Sequence, residues 1–268
     1  GLVKGRGVIK VAAAMGEGPM LRDDEWPYLL RTVVQAANDK AAIVCGLHYK
    51  DTKRTIEDAL RAQDMGAHAL QVCPPVFNVP SQDDIFDYFA DLSNAIDIGI
   101  MVYHTHWLSG GRIEVDTILR MKELDQVASI KWSAPEDVDY NEMTKFADAF
   151  SVIANGNAIQ CHKLGGRGYI NVTASAYPAH DLKVWDLLES GKYDEADKLF
   201  TSTDDALRDF GAKIDARSGG QARLPKALMD VMGRSAGASR PPSKPVTANE
   251  IAELKDIVKN QLGWPVPN

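Results

Sequence analysis

A lysine at the end of a strand-like run is the residue with the most chemical potential in this chain. Lys131 closes the apolar, β-branched stretch of residues 127–131. Burial disfavours the ammonium form of a lysine and lowers its pKa, which leaves a free amine that can attack a carbonyl carbon and form a Schiff base. The alternative is a lysine that only leaves a strand and extends to water. Tyr103 favours the catalytic interpretation, because it ends the preceding strand-like run, residues 98–103.

Three histidines are expected at the same end of the structure. His104 and His106 directly follow Tyr103, and His48 follows the strand-like residues 42–46. An imidazole titrates near neutral pH and can act as acid or base toward a substrate hydroxyl, although a loop histidine can also be a plain polar surface group. His-x-His with a third histidine is also a zinc-ligand pattern, but no carboxylate ligand is evident nearby, so we predict no metal site.

The elements that position these residues alternate along the chain. Continuous apolar runs separated by helical patterns indicate a parallel sheet covered on both faces. Their spacing of roughly 25 to 30 residues is typical of a repeated βα unit, and no glycine-rich phosphate fingerprint follows the first run, which favours a barrel over an open sheet. The predicted strands are residues 8–13, 42–46, 69–73, 98–103, 127–131, 150–154 and 169–173.

These strands number seven, whereas a complete barrel has eight. Residues 2–7 are interpreted as the tail of a first helix, so that either the first βα unit is missing from the supplied chain or one strand has escaped detection. We predict that residues 1–182 form the barrel. Residues 183–268 would then form its last helix and a helical extension, packed as one domain with the barrel, with the Pro- and Gly-rich residues 235–246 as an internal connection.

Composition restricts the partners. The 268 residues are 45% hydrophobic, which is enough for one large core. The balance of 30 basic and 37 acidic residues gives a net charge of −7, which argues against nucleic acid or an anionic membrane. No apolar run approaches the roughly 20 residues that span a bilayer. The three cysteines have no paired spacing, and Cys45 and Cys73 lie in strand-like runs, so we expect buried thiols and a cytoplasmic protein.

Five ordered motifs resemble the dihydrodipicolinate synthase and N-acetylneuraminate lyase superfamily of Schiff-base aldolases and dehydratases. In chain order the family patterns are G-[ST]-T-G-E, P-Y-Y-x-x-P-[ST]-Q, Y-N-x-P, G-[IV]-K and G-[AG]-x-G-x-I, and they correspond to residues 13–17, 75–82, 102–105, 129–131 and 165–170. The resemblance implies an α/β fold, a (β/α)8 TIM barrel with additional C-terminal helices. It also implies a homotetramer and a reaction without a cofactor.

The resemblance assigns roles to single residues. Lys131 would attack the ketone of pyruvate or a related 2-oxo acid, and the protonated imine would act as an electron sink for C–C bond cleavage or loss of a C3 proton. Tyr103 would relay protons to and from the reacting oxygen. The turn at Ala14, Met15 and Gly16 would hold the substrate carboxylate through backbone N–H groups.

The chain also departs from the family pattern. Ala14 and Phe77 replace two hydroxyl-bearing residues of the proton relay, Met15 replaces a threonine that holds the carboxylate, and Leu108 lies near the position of an arginine that binds the second substrate of dihydrodipicolinate synthase. These losses argue against the reaction of lysine biosynthesis. They leave Lys131 and Tyr103 untouched.

Other side chains are expected to shape the substrate site. The three histidines would bind the distal part of the substrate or transfer protons to it, Trp107 and Trp132 would add apolar surface, and Asn155 and Asn171 would orient hydroxyls. Three functions follow. The first is an aldolase that joins or cleaves pyruvate and an aldehyde. The second is a dehydratase of 2-keto-3-deoxy acids, and the third, a non-catalytic barrel, is disfavoured because the chain retains Lys131 and Tyr103.

Overall fold

Seven parallel strands form one sheet in a computed structural model that describes residues 7–267. Each strand pairs with the next along the chain, in the order β1 to β7, as in consecutive units of a (β/α) barrel. The strands are β1 (Val8–Val11), β2 (Ala42–Leu47), β3 (Ala69–Val72), β4 (Gly99–Tyr103), β5 (Val127–Trp132), β6 (Ser151–Asn155) and β7 (Gly168–Ile170).

All seven predicted strands are confirmed, most of them to within one residue at each end. Two are shorter by two or more residues at their C-terminal ends than the sequence indicates. β1 ends at Val11 because Ala12 has a left-handed backbone (φ 54°), which turns the chain out of the sheet. β7 ends at Ile170, and the chain continues into a second compact unit that begins at Asn171.

Helices connect the strands of the first unit: α1 (Glu25–Ala37), α2 (Thr52–Asp64), α3 (Gln82–Ala95), α4 (Val115–Arg120) and α5 (Ala158–Lys163). Two of their starts follow the predicted capping residues. The Asp51 side chain accepts a hydrogen bond from the backbone N–H of Arg54 at the start of α2. Ser81 and Asp84 form a reciprocal capping box at the start of α3.

The unit from Asn171 onward is helical. It contains α6 (Pro178–Glu189), α7 (Tyr193–Arg217), α8 (Arg223–Val231) and α9 (Ala248–Asp256), followed by a π-helical turn (Ile257–Gln261). Its core includes a fully buried arginine, Arg223, which donates hydrogen bonds to the backbone carbonyls of Ile214, Ser218 and Lys244. The assignment of residues 1–182 and 183–268 to a single domain remains a prediction. Residues 2–6, interpreted as the tail of a preceding helix, lie outside the described part of the chain.

Strand register divides the side chains of the sheet into two sets. One set is apolar and fully buried, and includes Leu70, Ile100, Ile130 and Val152, which belong to the same hydrophobic cluster as Phe89 of α3. Neighbouring residues on a strand point to opposite faces, so the alternate positions form the second set. That set carries the polar residues, and includes Lys10, Gln71, Met101, Tyr103 and Lys131. The hydrogen bond between Lys10 of β1 and Gln71 of β3, which spans β2, shows that this set faces the concave interior.

The structure also bears on membrane contact and on the thiols. Between residues 7 and 267, none of the helices combines the length and the apolar character needed to cross a membrane. Cys45, Cys73 and Cys161 are free and buried, as predicted for the first two. Burial raises the pKa of the Cys45 thiol to about 12 and that of Cys73 to about 11, so both are held as unreactive thiols.

Candidate active site

Lys131 and Tyr103 lie side by side at the carboxyl ends of β5 and β4. The two residues are register partners in the parallel pairing, and the Lys131 Nζ atom lies 3.6 Å from the centroid of the Tyr103 ring. Both are buried, with 4% and 7% of their surface exposed. Burial, with a smaller contribution from the positive charge of Lys10, lowers the pKa of Lys131 to about 6. At neutral pH most of this amine is therefore unprotonated and nucleophilic.

Tyr103 is held as a neutral phenol. Burial is the main cause that raises its pKa, while a hydrogen bond from the Asn155 side chain opposes the shift. Asn155 ends β6, so three adjacent strands each place one residue at this point. The Trp107 ring packs edge-on against Tyr103 at 5.7 Å, and the His48 ring lies 6.0 Å away, both measured between centroids. A phenol that keeps its proton can donate it to a reacting oxygen.

Two polar residues that the sequence analysis does not single out also lie in the interior. Lys10 donates a hydrogen bond to the Oε1 atom of Gln71, and the Nε2 atom of Gln71 lies 3.1 Å from the Nε2 atom of His48. Gln71 is 1% exposed, and burial lowers the pKa of Lys10 to about 8. The signal in the sequence was a charged and an amide residue in the middle of strands that are otherwise apolar.

The buried histidines do not titrate near neutral pH, contrary to what the sequence suggested. Burial, reinforced by the charges of Lys10 and Lys131, lowers the pKa of His48 to about 3. Burial likewise lowers the pKa of His104 to about 3, with a smaller effect from His106. Burial also lowers the pKa of the half-buried His106. At neutral pH, His48 and His104 are therefore neutral hydrogen-bonding groups and poor general acids.

His104 and Trp132 belong to the packing behind the site. The His104 ring is fully buried, stacks on Trp132 at 4.9 Å between centroids, and its Nδ1 atom lies 2.9 Å from the carbonyl oxygen of Ser133. Trp132 also packs edge-on against Phe146 in the hydrophobic core. The expectation that Trp132 lines the substrate site needs correction, because Trp132 directly follows Lys131 on a strand and must point to the opposite face.

The predicted carboxylate-binding turn forms a single 3-10 turn, Ala14–Gly16, after β1. Gly46 of β2 makes its position possible, since a Cβ atom there would lie 2.6 Å from both the Ala12 carbonyl oxygen and the Ala13 Cα atom. The close approach brings Ala12 and Ala13, the two residues before the turn, against Gly46 near the end of β2, two residues before His48. The side chains of Ala14 and Met15 contribute no hydrogen-bond donor.

Two predicted site residues lie outside the strands that carry this cluster. The Phe77 side chain is 94% exposed, in the short turn Val76–Asn78. Asn171 belongs to the second unit, where its Nδ2 atom donates to Asp181 (3.2 Å) and its Oδ1 atom accepts from the backbone N–H of Val172 (2.8 Å). Both polar ends of its side chain are thus engaged locally. Within residues 7–267, no three potential metal ligands among His, Cys, Asp and Glu cluster together.

Comparison with known proteins shows the family of the chain that carries this cluster. The model of the dihydrodipicolinate synthetase family matches residues 2–261. The chain belongs to this family. Membership identifies it as a relative of aldolase-type lyases, and the superfamily resemblance drawn from the five motifs is confirmed.

Individual relatives are distant in sequence and close in fold. A 4-hydroxy-tetrahydrodipicolinate synthase of Halalkalibacterium halodurans is 26% identical, over 97% of this chain and 88% of its own. The dihydrodipicolinate synthase from Aquifex aeolicus superposes with a TM-score of 0.83 at 20% identity, covering 99% and 89% of the two chains. A prophage protein of the same family from E. coli K12, in complex with pyruvate, gives 0.82 at 17%, covering 94% and 86%. These superpositions show the α/β barrel fold.

Proposed function

We propose that this chain is a Schiff-base-forming lyase that acts on pyruvate or a related 2-oxo acid. Most specifically, it would be an aldolase that makes or cleaves a C–C bond with an aldehyde. The observation that carries the proposal is the buried Lys131 amine, with a pKa lowered to about 6 and a phenol against it. Relatives named 4-hydroxy-tetrahydrodipicolinate synthase, and a family member in complex with pyruvate, support it.

The steps follow from the two side chains. The free Lys131 amine attacks the ketone carbon of the 2-oxo acid, and the carbonyl oxygen becomes the hydroxyl of a carbinolamine. Tyr103 donates its proton to that hydroxyl, which leaves as water, and the iminium ion forms. In a 4-hydroxy-2-oxo acid the Tyr103 phenolate then takes the proton of the C4 hydroxyl, the C3–C4 bond breaks, and its electron pair passes to the iminium ion to give an enamine while the C4 fragment leaves as an aldehyde. In the reverse direction the enamine attacks the aldehyde.

The second substrate is proposed to differ from that of dihydrodipicolinate synthase. Leu108, in the loop after β4, lies near the family's arginine position and offers no charge to a second carboxylate. A dehydratase of 2-keto-3-deoxy acids would use the same lysine. The predicted homotetramer stays a prediction, and one solved dihydrodipicolinate synthase variant with a TM-score of 0.84 and 21% identity is described as monomeric.

Reductive trapping tests the proposal directly. Incubation with pyruvate and borohydride should add the mass of one pyruvic acid less one oxygen atom, and peptide mapping should locate it on Lys131. Lys131→Met, which keeps the length of the side chain but has no amine to form an imine, is the matched control and should remain unlabelled. Label on Lys10, Lys163 or Lys226 would move the nucleophile elsewhere, and an unlabelled native protein would favour the non-catalytic alternative. Product analysis with 2-keto-3-deoxy acids separates aldolase from dehydratase, since only an aldolase releases pyruvate.

A further inference from the structure

Lys10 is a half-buried cation with no carboxylate partner in the described part of the chain. Burial lowers its pKa only to about 8, so it is mostly charged at neutral pH. Its ammonium group donates to the Oε1 atom of Gln71. Because an ammonium group can only donate, it fixes which end of the Gln71 amide faces it. The amide nitrogen of Gln71 must then face away from Lys10.

The orientation of Gln71 determines where His48 carries its hydrogen. The Gln71 Nε2 atom lies 3.1 Å from the His48 Nε2 atom, and an amide nitrogen can only donate. His48 Nε2 is therefore the acceptor. Since burial keeps the ring neutral, its single hydrogen must lie on Nδ1.

The Nδ1–H group is buried and has no partner within residues 7–267. A buried donor without an acceptor is costly, so such a group indicates an acceptor supplied by something that binds. The His48 ring lies 6.0 Å from the Tyr103 ring, against which the Lys131 amine packs. Lys10, which is mostly charged at neutral pH, acts on both His48 and Lys131, so an anionic oxygen is the acceptor that the local field favours.

We propose that Lys10 and Gln71 are positioning residues that hold His48 as the Nδ1–H tautomer, and that this N–H donates a hydrogen bond to the carboxylate of the 2-oxo acid bound at Lys131. The inference rests on the proposed function and deepens it. His48 follows β2, whose Gly46 lies against the two residues that precede the Ala14–Gly16 turn, so its N–H supplies the side-chain donor that Ala14 and Met15 lack. His48 acts by donating a hydrogen bond and transfers no proton.

Nitrogen NMR of the ligand-free protein tests the tautomer. In protein labelled with 15N-histidine, at a pH where imidazole is neutral, His48 should show an N–H type Nδ1 and a lone-pair type Nε2. His68 is an internal reference of the opposite tautomer, because the backbone N–H of Ile43 donates to its Nδ1 atom at 3.2 Å. In Gln71→Glu the carboxylate can only accept, so the His48 hydrogen should move to Nε2. A native His48 with its hydrogen on Nε2 would overturn the proposal.

Pyruvate binding tests the carboxylate contact. The pyruvate concentration that half-saturates borohydride trapping should rise on the order of tenfold in His48→Leu and in Gln71→Glu, while trapping at saturation persists. His48→Asn places an amide nitrogen near the Nδ1 position and should recover part of the loss. An unchanged half-saturation in both variants, with native label on Lys131, would refute this inference alone. A native protein without label would refute the carboxylate contact together with the proposed function, whatever the NMR result.

Discussion

Replacing Lys131 by methionine should make the protein more stable, by an amount that depends on pH. Methionine keeps the length and apolar contacts of the lysine and removes the amine that burial keeps uncharged. In the unfolded chain a lysine has a pKa near 10.5, whereas in the folded chain the pKa of Lys131 is about 6. Between these two values the unfolded state binds a proton that the folded state does not. The native protein therefore gains stability as pH rises through this window.

The magnitude follows from the two pKa values. Each pKa unit corresponds to about 1.4 kcal/mol, so at pH 7 the buried amine costs about 5 kcal/mol and at pH 9 about 2 kcal/mol. Lys131 is only 4% exposed, so solvent screening reduces these values little. The free energy of unfolding of Lys131→Met should exceed that of the native protein at pH 7, and the excess should shrink by about 3 kcal/mol at pH 9.

Urea unfolding followed by circular dichroism at the two pH values measures this difference. Lys53→Met, in an exposed position on α2, is the matched control and should show the same pH dependence as the native protein. If Lys131→Met and the native protein differ by the same amount at pH 7 and pH 9, Lys131 is charged in the folded state. The lowered pKa, and the argument for a nucleophilic amine, would then be wrong.

Three further predictions concern the reaction. The initial rate of pyruvate trapping should rise with pH through about 6 and level off above it. Lys10→Met should shift this rise to higher pH, because Lys10 helps to lower the pKa of Lys131. Constant rates from pH 5 to pH 8 would contradict a Lys131 pKa near 6. Tyr103→Phe should lower turnover on the order of 100-fold, measured by pyruvate release from a suitable aldol, and a loss below about threefold would remove Tyr103 as proton donor. His106→Gln should alter the KM for the aldehyde in steady-state assays, since this half-buried ring lies beside Trp107 in the loop after β4, whereas the fully buried His104→Gln should chiefly lower the unfolding temperature. The reverse pattern would place His104 in the substrate site.

The sequence by itself determined the strand order, the parallel sheet and the pairing of Lys131 with Tyr103. These depend on local information: apolar runs at a regular spacing, capping residues before helices, and the rule that the carboxyl ends of parallel strands share one edge. The same alternation of side chains along a strand places Trp132 on the face opposite Lys131, contrary to the expectation that it lines the site.

Tertiary structure decided the electrostatics of the interior. Lys10, Gln71 and His48 come from three different strands or their ends, and their hydrogen bonds depend on side chains meeting across the concave face, which sequence spacing does not encode. Burial depth also comes only from packing. Burial lowers the pKa values of His48 and His104 far below neutral, because the free energy of a charged group depends on what surrounds it in space. Packing likewise decides that Phe77 is exposed to solvent.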